Sequence, residues 1–204
     1  MKFFIDTEFM EDGERIIPLS IGIVSERFHS LYIVVTDVDR SLANEFVVAN
    51  VLPTIDIPPP NGVVYLRLAR AEVAGAIESW LVGLTEDGIE FWADYGAYDW
   101  VLFCQLWGNM TDLPEEFPMF VRDVEQFRHA VGWAGPFPYE ESRDYSAEPE
   151  HNAINDAYST FQRWAFLTAL VEARDTELTP EAFVQADLDA SKAKHPTSQP
   201  PAET

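Results

Sequence analysis

Three short apolar stretches follow one another within the first 36 residues, and they constrain the fold more than any other feature. They are FFID, PLSIGIVS and SLYIVVT. The stretches are apolar, the third is rich in β-branched and aromatic residues, and the turn EDGER separates the first two, as is typical of consecutive β-strands. We therefore expect a three-stranded meander at the start of the chain.

The remainder of the chain alternates between helical patterns and one further strand pattern, IEFWAD. A helix in ANEFVVANVLP is expected to end near Pro53, because proline disrupts a helix interior. RLARAEVAGAIESWLVGL has helical spacing, with Val73, Ile77, Trp80 and Leu81 on one face. The other predicted helices are AYDWVLFCQLWG, PMFVRDVEQFRHAVG and HNAINDAYSTFQRWAFLTALVEARD. This order predicts an α/β fold in which helices flank a central mixed sheet.

The size and composition of the chain fit one folded domain. Its 204 residues are 47% hydrophobic and 13% aromatic, and we expect a domain over residues 1–175 and a partly disordered C-terminal extension over residues 176–204. No apolar run approaches the roughly 18–20 residues that span a membrane. The single cysteine, Cys104, cannot form an internal disulfide. We therefore expect a cytoplasmic protein with no membrane partner and a buried Cys104.

The net charge of −22 argues against ordinary nucleic-acid binding, because such proteins usually neutralise phosphates with Lys and Arg. Only 13 basic residues stand against 35 acidic ones. Bound divalent cations would reverse the sign of the field locally, and a short contact at a chain terminus needs few phosphate contacts. The charge therefore predicts weak non-specific affinity and no long basic groove.

Asp6 and Glu8 are two residues apart at the predicted end of the first strand. Residues i and i+2 of a strand point to the same face, so both carboxylates can reach one point. Two carboxylates held that close repel unless a positive charge lies between them. Mg²⁺ and Mn²⁺ prefer oxygen ligands of this kind. A solvated acidic turn is the alternative explanation of this pair.

Asp99 follows the strand IEFWAD and lies in the first turn of the next predicted helix. The helix dipole favours an acid there, which is a sufficient structural explanation on its own. Gly96 would allow close approach of the backbone, and the nearby Asp94 is not assigned as a ligand. The surrounding aromatic residues offer faces either for core packing or for base stacking; they are Trp92, Tyr95, Tyr98 and Trp100.

His151 and Asp156 are five residues apart, which is a rotation of about 140° on a continuous helix. They would not share a helix face, so we place His151 on the preceding loop and Asp156 inside the helix. A histidine with an ordinary pKa of about 6.5 can accept a proton near neutrality. A surface histidine beside a helix start is the structural alternative.

Several other chemistries lack their motifs. The chain has no phosphate-binding loop of the G-x-x-x-x-G-K-[ST] type, no glycine-rich dinucleotide fingerprint after a strand, and no G-x-S-x-G nucleophile elbow. One cysteine and four histidines disfavour a structural zinc site.

Together the motifs resemble the DEDD exonuclease superfamily in its DEDDh branch. Asp6-Thr7-Glu8 resembles the first motif of that branch, Asp99 the second, and His151 through Asp156 the third. The similarity is closer to bacterial polyadenylate-specific exoribonucleases of the RNase AS type, and it covers roughly residues 2–166. It is carried by FIDTEFMEDG, LSIGIVSE, GAYDWVLFCQLWGNMTDLP and HNAINDA.

The resemblance implies an RNase H-like fold and a homodimer. It also implies 3′→5′ hydrolysis of single-stranded RNA ends to nucleoside 5′-monophosphates, and it leaves a preference for adenylate open. It implies two Mg²⁺ ions, with Mn²⁺ as a substitute. The metal ligands would be Asp6, Glu8, Asp99 and Asp156, and His151 would be the general base. The substrate-binding residues would be Thr7, Phe9, Ser20 and Tyr98, with Phe9 and Tyr98 stacking on the terminal base and Thr7 near the terminal ribose.

Two residues depart from the family pattern, and three alternatives stay open. Gly96 stands where most DEDD enzymes have asparagine, although the RNase AS-like branch shares the glycine. Asn152 stands where close relatives have an acid. These differences bear on adenylate preference more than on catalysis. The alternatives are a 3′→5′ DNA exonuclease, a non-catalytic module that binds an RNA end or a protein, and an acidic mimic of nucleic acid.

Overall fold

The computed structural model describes residues 1–84, 88–141 and 149–175, and its centre is a six-stranded mixed β-sheet. The order of strands across the sheet is β4-β3-β2-β1-β5-β6. The strands are β1 Lys2–Glu11, β2 Ile16–Ser25, β3 Ser30–Val35, β4 Val64–Leu68, β5 Glu90–Ala93 and β6 Arg122–Asp123. The predicted N-terminal meander is confirmed, because β1, β2 and β3 pair antiparallel in sequence order.

Parallel pairing extends the meander on both sides and makes the sheet mixed. Strand β4 pairs parallel with β3, while β5 pairs parallel with β1 and β6 with β5. The helices are α1 Leu52–Ile55, α2 Arg70–Val82, α3 Ala97–Gln105, α4 Val124–Val131 and α5 Ala153–Asp175. A π-helix, Val47–Val51, runs directly into α1, and short 3₁₀ helices lie at Arg40–Leu42, Met110–Asp112 and Pro138–Glu141. The predicted α/β, RNase H-like fold is confirmed.

Alternate residues of β1 face opposite layers of the structure, as the two-residue period of a strand requires. Phe3 and Ile5 are buried in the cluster that contains α2 and α3. Phe4 and Met10 are buried on the other face, against α5 and the π-helix segment. Cys104 is buried in the α3 layer, as predicted. Each face of the sheet therefore has a hydrophobic core, and α5 covers the face to which even-numbered β1 residues point.

Several predicted boundaries were wrong. The first strand continues to Glu11, because its pairing with β2 extends past the acids. Strand β4 was not predicted, and its last two residues, Arg67 and Leu68, were taken as the start of a helix, since RLAR has helical spacing; pairing with β3 decides their conformation. The two-residue β6 was likewise taken as helix.

The helix expected to end near Pro53 continues to Ile55. Pro53 lies at the start of α1, directly after the π-helix, where the helical hydrogen-bond pattern changes. The predicted extension over residues 176–204 lies outside the described residues, so the domain boundary stays a prediction. Within the described ranges, no helix combines the length and the apolar character needed to cross a bilayer.

Candidate active site

Strand β1 presents Asp6 and Glu8 on the face that α5 covers. The parallel pairing of β5 with β1 extends only to the Phe4–Trp92 pair, so both acids lie beyond the C-terminal end of β5. They lie inside β1 and not at its end, which corrects the predicted position. The shared face is the one that the i, i+2 spacing predicts.

Helix α5 brings a third carboxylate, Asp156, to the same place. The helix begins directly against β2 at Gly22, which pairs across the sheet with Asp6. A Cβ atom at Gly22 would lie 2.1 Å from the Ala153 carbonyl oxygen, so only glycine permits this approach. Carboxylate oxygens of Asp6, Glu8 and Asp156 consequently all lie within 4.8 Å of one another.

The electrostatics of this group fit a divalent cation. Burial first, and then the charges of Asp99, Asp156, Glu8 and Asp94, raise the pKa of Asp6 well above its ordinary value. Burial, Asp156 and Asp99 raise the pKa of Glu8 to about 8. Within residues 1–84, 88–141 and 149–175, no Lys or Arg forms an ion pair with Asp6 or Glu8. Hard oxygen ligands of this kind suit Mg²⁺ or Mn²⁺.

The raised pKa of Glu8 predicts a specific pH dependence of stability. Because its folded-state pKa of about 8 exceeds the ordinary 4.5, Glu8 contributes stability below about pH 4.5 that is lost as pH rises to about 8. In EDTA, we expect the free energy of unfolding of Glu8→Gln to exceed that of the wild type increasingly over this range. Urea titrations at several pH values measure the two free energies of unfolding. A difference between them that does not change with pH would contradict the prediction.

Asp99 approaches the group from the first turn of α3. The backbone N–H and the hydroxyl of Thr7 both donate to Asp99 Oδ1, at 2.8 and 2.6 Å. Burial outweighs these two hydrogen bonds and raises the pKa of Asp99 to about 6. Asp99 is outside the three-carboxylate group, yet its charge raises the pKa of both Asp6 and Glu8. Gly96 starts the turn, where a Cβ would lie 2.4 Å from the Ala93 Cβ.

His151 lies on the loop before α5, as predicted, and its backbone is left-handed with φ 57°. Such a conformation costs a residue other than glycine on the order of 1–3 kcal/mol and persists only where neighbouring contacts hold it. The His151 ring contacts the Phe46 ring edge to face, with centroids 5.2 Å apart. His151, Asp6 and Asp156 line one open cavity of about 300 Å³.

The residues predicted to bind substrate are not among those that line this cavity, and they lie in different environments. Phe9 and Tyr98 stack on each other, with ring centroids 5.6 Å apart and planes 6° apart, and Tyr98 is half exposed. Thr7 is buried, and its two donors serve Asp99. Ser20 is fully buried and pairs across the sheet with Glu8. Direct contacts of these residues with a substrate stay predictions.

Asp94 and Arg163 also line the cavity, and the sequence interpretation missed their pairing. The Arg163 guanidinium forms an ion pair with Asp94 and donates to Glu140 at 2.8 Å and to the Tyr139 hydroxyl at 3.2 Å. Burial raises the pKa of Asp94 to about 6 although Arg163 lowers it. Arg163 lies seven residues after Asp156 on α5, and that spacing could have indicated a shared helix face.

Comparison with known proteins places the chain among nucleases. No family model matches the sequence. Two curated relatives, from two strains of Mycobacterium tuberculosis, are both named 3′-5′ exoribonuclease. Each is 38% identical over 173 residues, which is 85% of this chain and 96% of the relative. The chain therefore belongs to the family of 3′-5′ exoribonucleases that these two proteins represent.

Proposed function

We propose that this chain hydrolyses single-stranded RNA from its 3′ end and releases nucleoside 5′-monophosphates. The observation that carries the proposal is the convergence of Asp6, Glu8 and Asp156 at one point beside His151. The names of the two relatives support the substrate class and the direction. A predicted homodimer belongs to the same proposal, and light scattering of the purified protein tests it.

Asp6, Glu8 and Asp156 would hold divalent cations, and Asp99 would complete the set for a second one. Two bound Mg²⁺ ions, or Mn²⁺ in their place, would supply charge stabilisation to the phosphodiester and acidify the attacking water. Thr7 holds the Asp99 carboxylate through two hydrogen bonds and so fixes its orientation toward the group. The raised pKa of Glu8 and of Asp6 indicates that the site favours added positive charge.

His151 is the group proposed to accept the proton of the attacking water. It lines the cavity with Asp6 and Asp156, and the residue is only half buried, which leaves it open to solvent on one side. Histidine is the side chain that most often transfers protons as a general acid or base in enzymes. The terminal base would stack on the Phe9–Tyr98 pair, whose Tyr98 ring is half exposed.

His151→Ala is expected to lower kcat by roughly 10²–10⁴-fold, since that is the usual contribution of a general base. Mg²⁺-dependent release of mononucleotides from an RNA oligomer measures the loss. His129→Ala is the matched control, because His129 is exposed on α4 and is not among the residues that line the cavity with His151, Asp6 and Asp156. A wild-type pH–rate profile in His151→Ala would remove the residue from the mechanism.

The function is tested by incubating the protein and Mg²⁺ with RNA that is labelled at its 3′ or its 5′ end. The products are then sized by chromatography. The expected result is mononucleotide from the first time point with 3′-labelled RNA, and progressive shortening with 5′-labelled RNA. Homopolymers and mixed sequences measure adenylate preference. Circular RNA should stay intact, and equal rates on matched DNA would favour the DNA exonuclease instead. Absence of any Mg²⁺- or Mn²⁺-dependent hydrolysis would support the non-catalytic binding module.

A further inference from the structure

The left-handed backbone at His151 requires contacts that hold it. A residue with a Cβ rarely adopts φ 57°, although histidine does so more often than most. The residue that meets this requirement is Thr54, in α1. Its hydroxyl lies within hydrogen-bonding distance of two carbonyl oxygens, that of His151 and, at 2.9 Å, that of Val51. The loop that carries His151 is therefore attached to α1 through the His151 carbonyl oxygen.

Asn152 completes the attachment from the other side of the same peptide unit. Its side-chain amide donates to the Thr54 carbonyl oxygen at 2.8 Å. Its backbone N–H donates to Asp156 Oδ2 at 3.2 Å. Thr54 and Asn152 are both buried, so water does not compete readily for these bonds. A single threonine thus contacts the backbone of His151 through its hydroxyl and the next residue through its carbonyl.

The segment that carries Thr54 is itself anchored to the sheet. The Tyr32 hydroxyl of β3 donates to the Ile55 carbonyl oxygen at 2.8 Å, and Val47, Val51 and Ile55 are buried against the same face. Phe46, immediately before the π-helix, contacts the His151 ring. Turns of π-helix are rare in proteins and are found frequently at functional sites. The segment of residues 46–55 therefore contacts both the ring and the backbone of His151, and its packing against the sheet fixes its own position.

From these contacts we infer that Thr54 and Asn152 are positioning residues, which hold His151 in the orientation that proton transfer requires. The inference rests on the proposed function, in which His151 is the general base. Neither residue touches the substrate in this scheme, so their loss should lower kcat and leave KM nearly unchanged. A displaced catalytic group can cost roughly 10²-fold in rate.

The test compares Thr54→Val with Thr54→Ser in wild-type and His151→Ala backgrounds, measuring kcat and KM on an RNA oligomer with Mg²⁺ in excess. Thr54→Val removes the hydroxyl at nearly constant volume and should lower kcat by roughly 10–100-fold. Thr54→Ser keeps the hydroxyl and should restore most of the rate. In the His151→Ala background, Thr54→Val should change kcat by less than about twofold, because the residue acts through His151.

Ser30→Ala is the matched control, because it removes a buried hydroxyl whose hydrogen bonds go to the Phe28 carbonyl oxygen and the Tyr158 hydroxyl and not to the His151 backbone. A wild-type kcat in Thr54→Val, or an equal loss in both backgrounds, would overturn the inference. If Thr54→Val fails to fold, Thr54→Ala removes the same hydroxyl without bulk and decides by the same comparison. A wild-type kcat in His151→Ala would instead overturn the general-base assignment in the proposed function and, with it, this inference.

Discussion

Asp6→Asn is expected to abolish Mg²⁺-dependent hydrolysis and, in the metal-free protein, to raise the melting temperature by a few degrees. Removing one ligand charge should cost several kcal/mol of transition-state stabilisation, or roughly 10³-fold or more in kcat. The gain in stability has the opposite origin, since burial and four neighbouring acids already raise the pKa of Asp6. Asparagine keeps the volume and removes the repulsion.

Activity assays with Mg²⁺ measure the first effect, and thermal unfolding in EDTA measures the second. Asp156→Ala should show the same loss of activity with the fold intact. Asp12→Asn is the matched control: Asp12 is exposed, and hydrogen bonds from Arg15 lower its pKa to about 2. Neutralising it should leave kcat unchanged and should not raise the melting temperature. Full activity in Asp6→Asn would contradict the assignment of the site.

Gly22→Ala is expected to destabilise the protein by about 3 kcal/mol, the upper end of the usual cost of overpacking a close contact. The new Cβ would lie 2.1 Å from the Ala153 carbonyl oxygen and 2.6 Å from Ile154 Cα, and both are backbone atoms that move only if α5 moves. For a domain of this size, that loss lowers the melting temperature by roughly 6–12 °C. Activity should fall by roughly 10²-fold as well, because α5 carries Asp156 away from Asp6.

Calorimetry and the RNA assay measure these losses, and Gly75→Ala is the control. Gly75 lies on α2, and a Cβ there meets nothing within 4 Å. Alanine in that exposed helical position should stabilise the protein by roughly 0.5–1 kcal/mol. If Gly22→Ala kept the wild-type melting temperature and activity, the close approach of α5 to β2 would be contradicted.

Local patterns predicted those parts of the molecule whose geometry is decided within a few residues. The two-residue period of β1 predicted that Asp6 and Glu8 share a face, and the long amphipathic pattern predicted α5 with His151 before it. The strands β4 and β6 were missed because pairing with distant strands, and not their own sequence, fixes their conformation.

The remainder of the candidate site depends on contacts between segments far apart in the chain. The convergence of Asp156 on Asp6 and Glu8 rests on the close packing of Gly22 against Ala153, which no local period encodes. The contact of Thr54 with the His151 carbonyl is equally non-local. Arg163 did have a usable signal, because its seven-residue separation from Asp156 matches two helical turns.

The alternation along β1 has a further consequence for how the sheet assembles. A slip of one residue against β2 would turn Asp6 and Glu8 toward the apolar layer of α2 and α3, and would turn Ile5 toward the cavity. Two ionised carboxylates in that layer would cost far more free energy than the misaligned pairing could recover. The acids proposed for catalysis thus also penalise incorrect strand pairing, so their replacement by apolar residues would allow misaligned, aggregation-prone forms of the sheet.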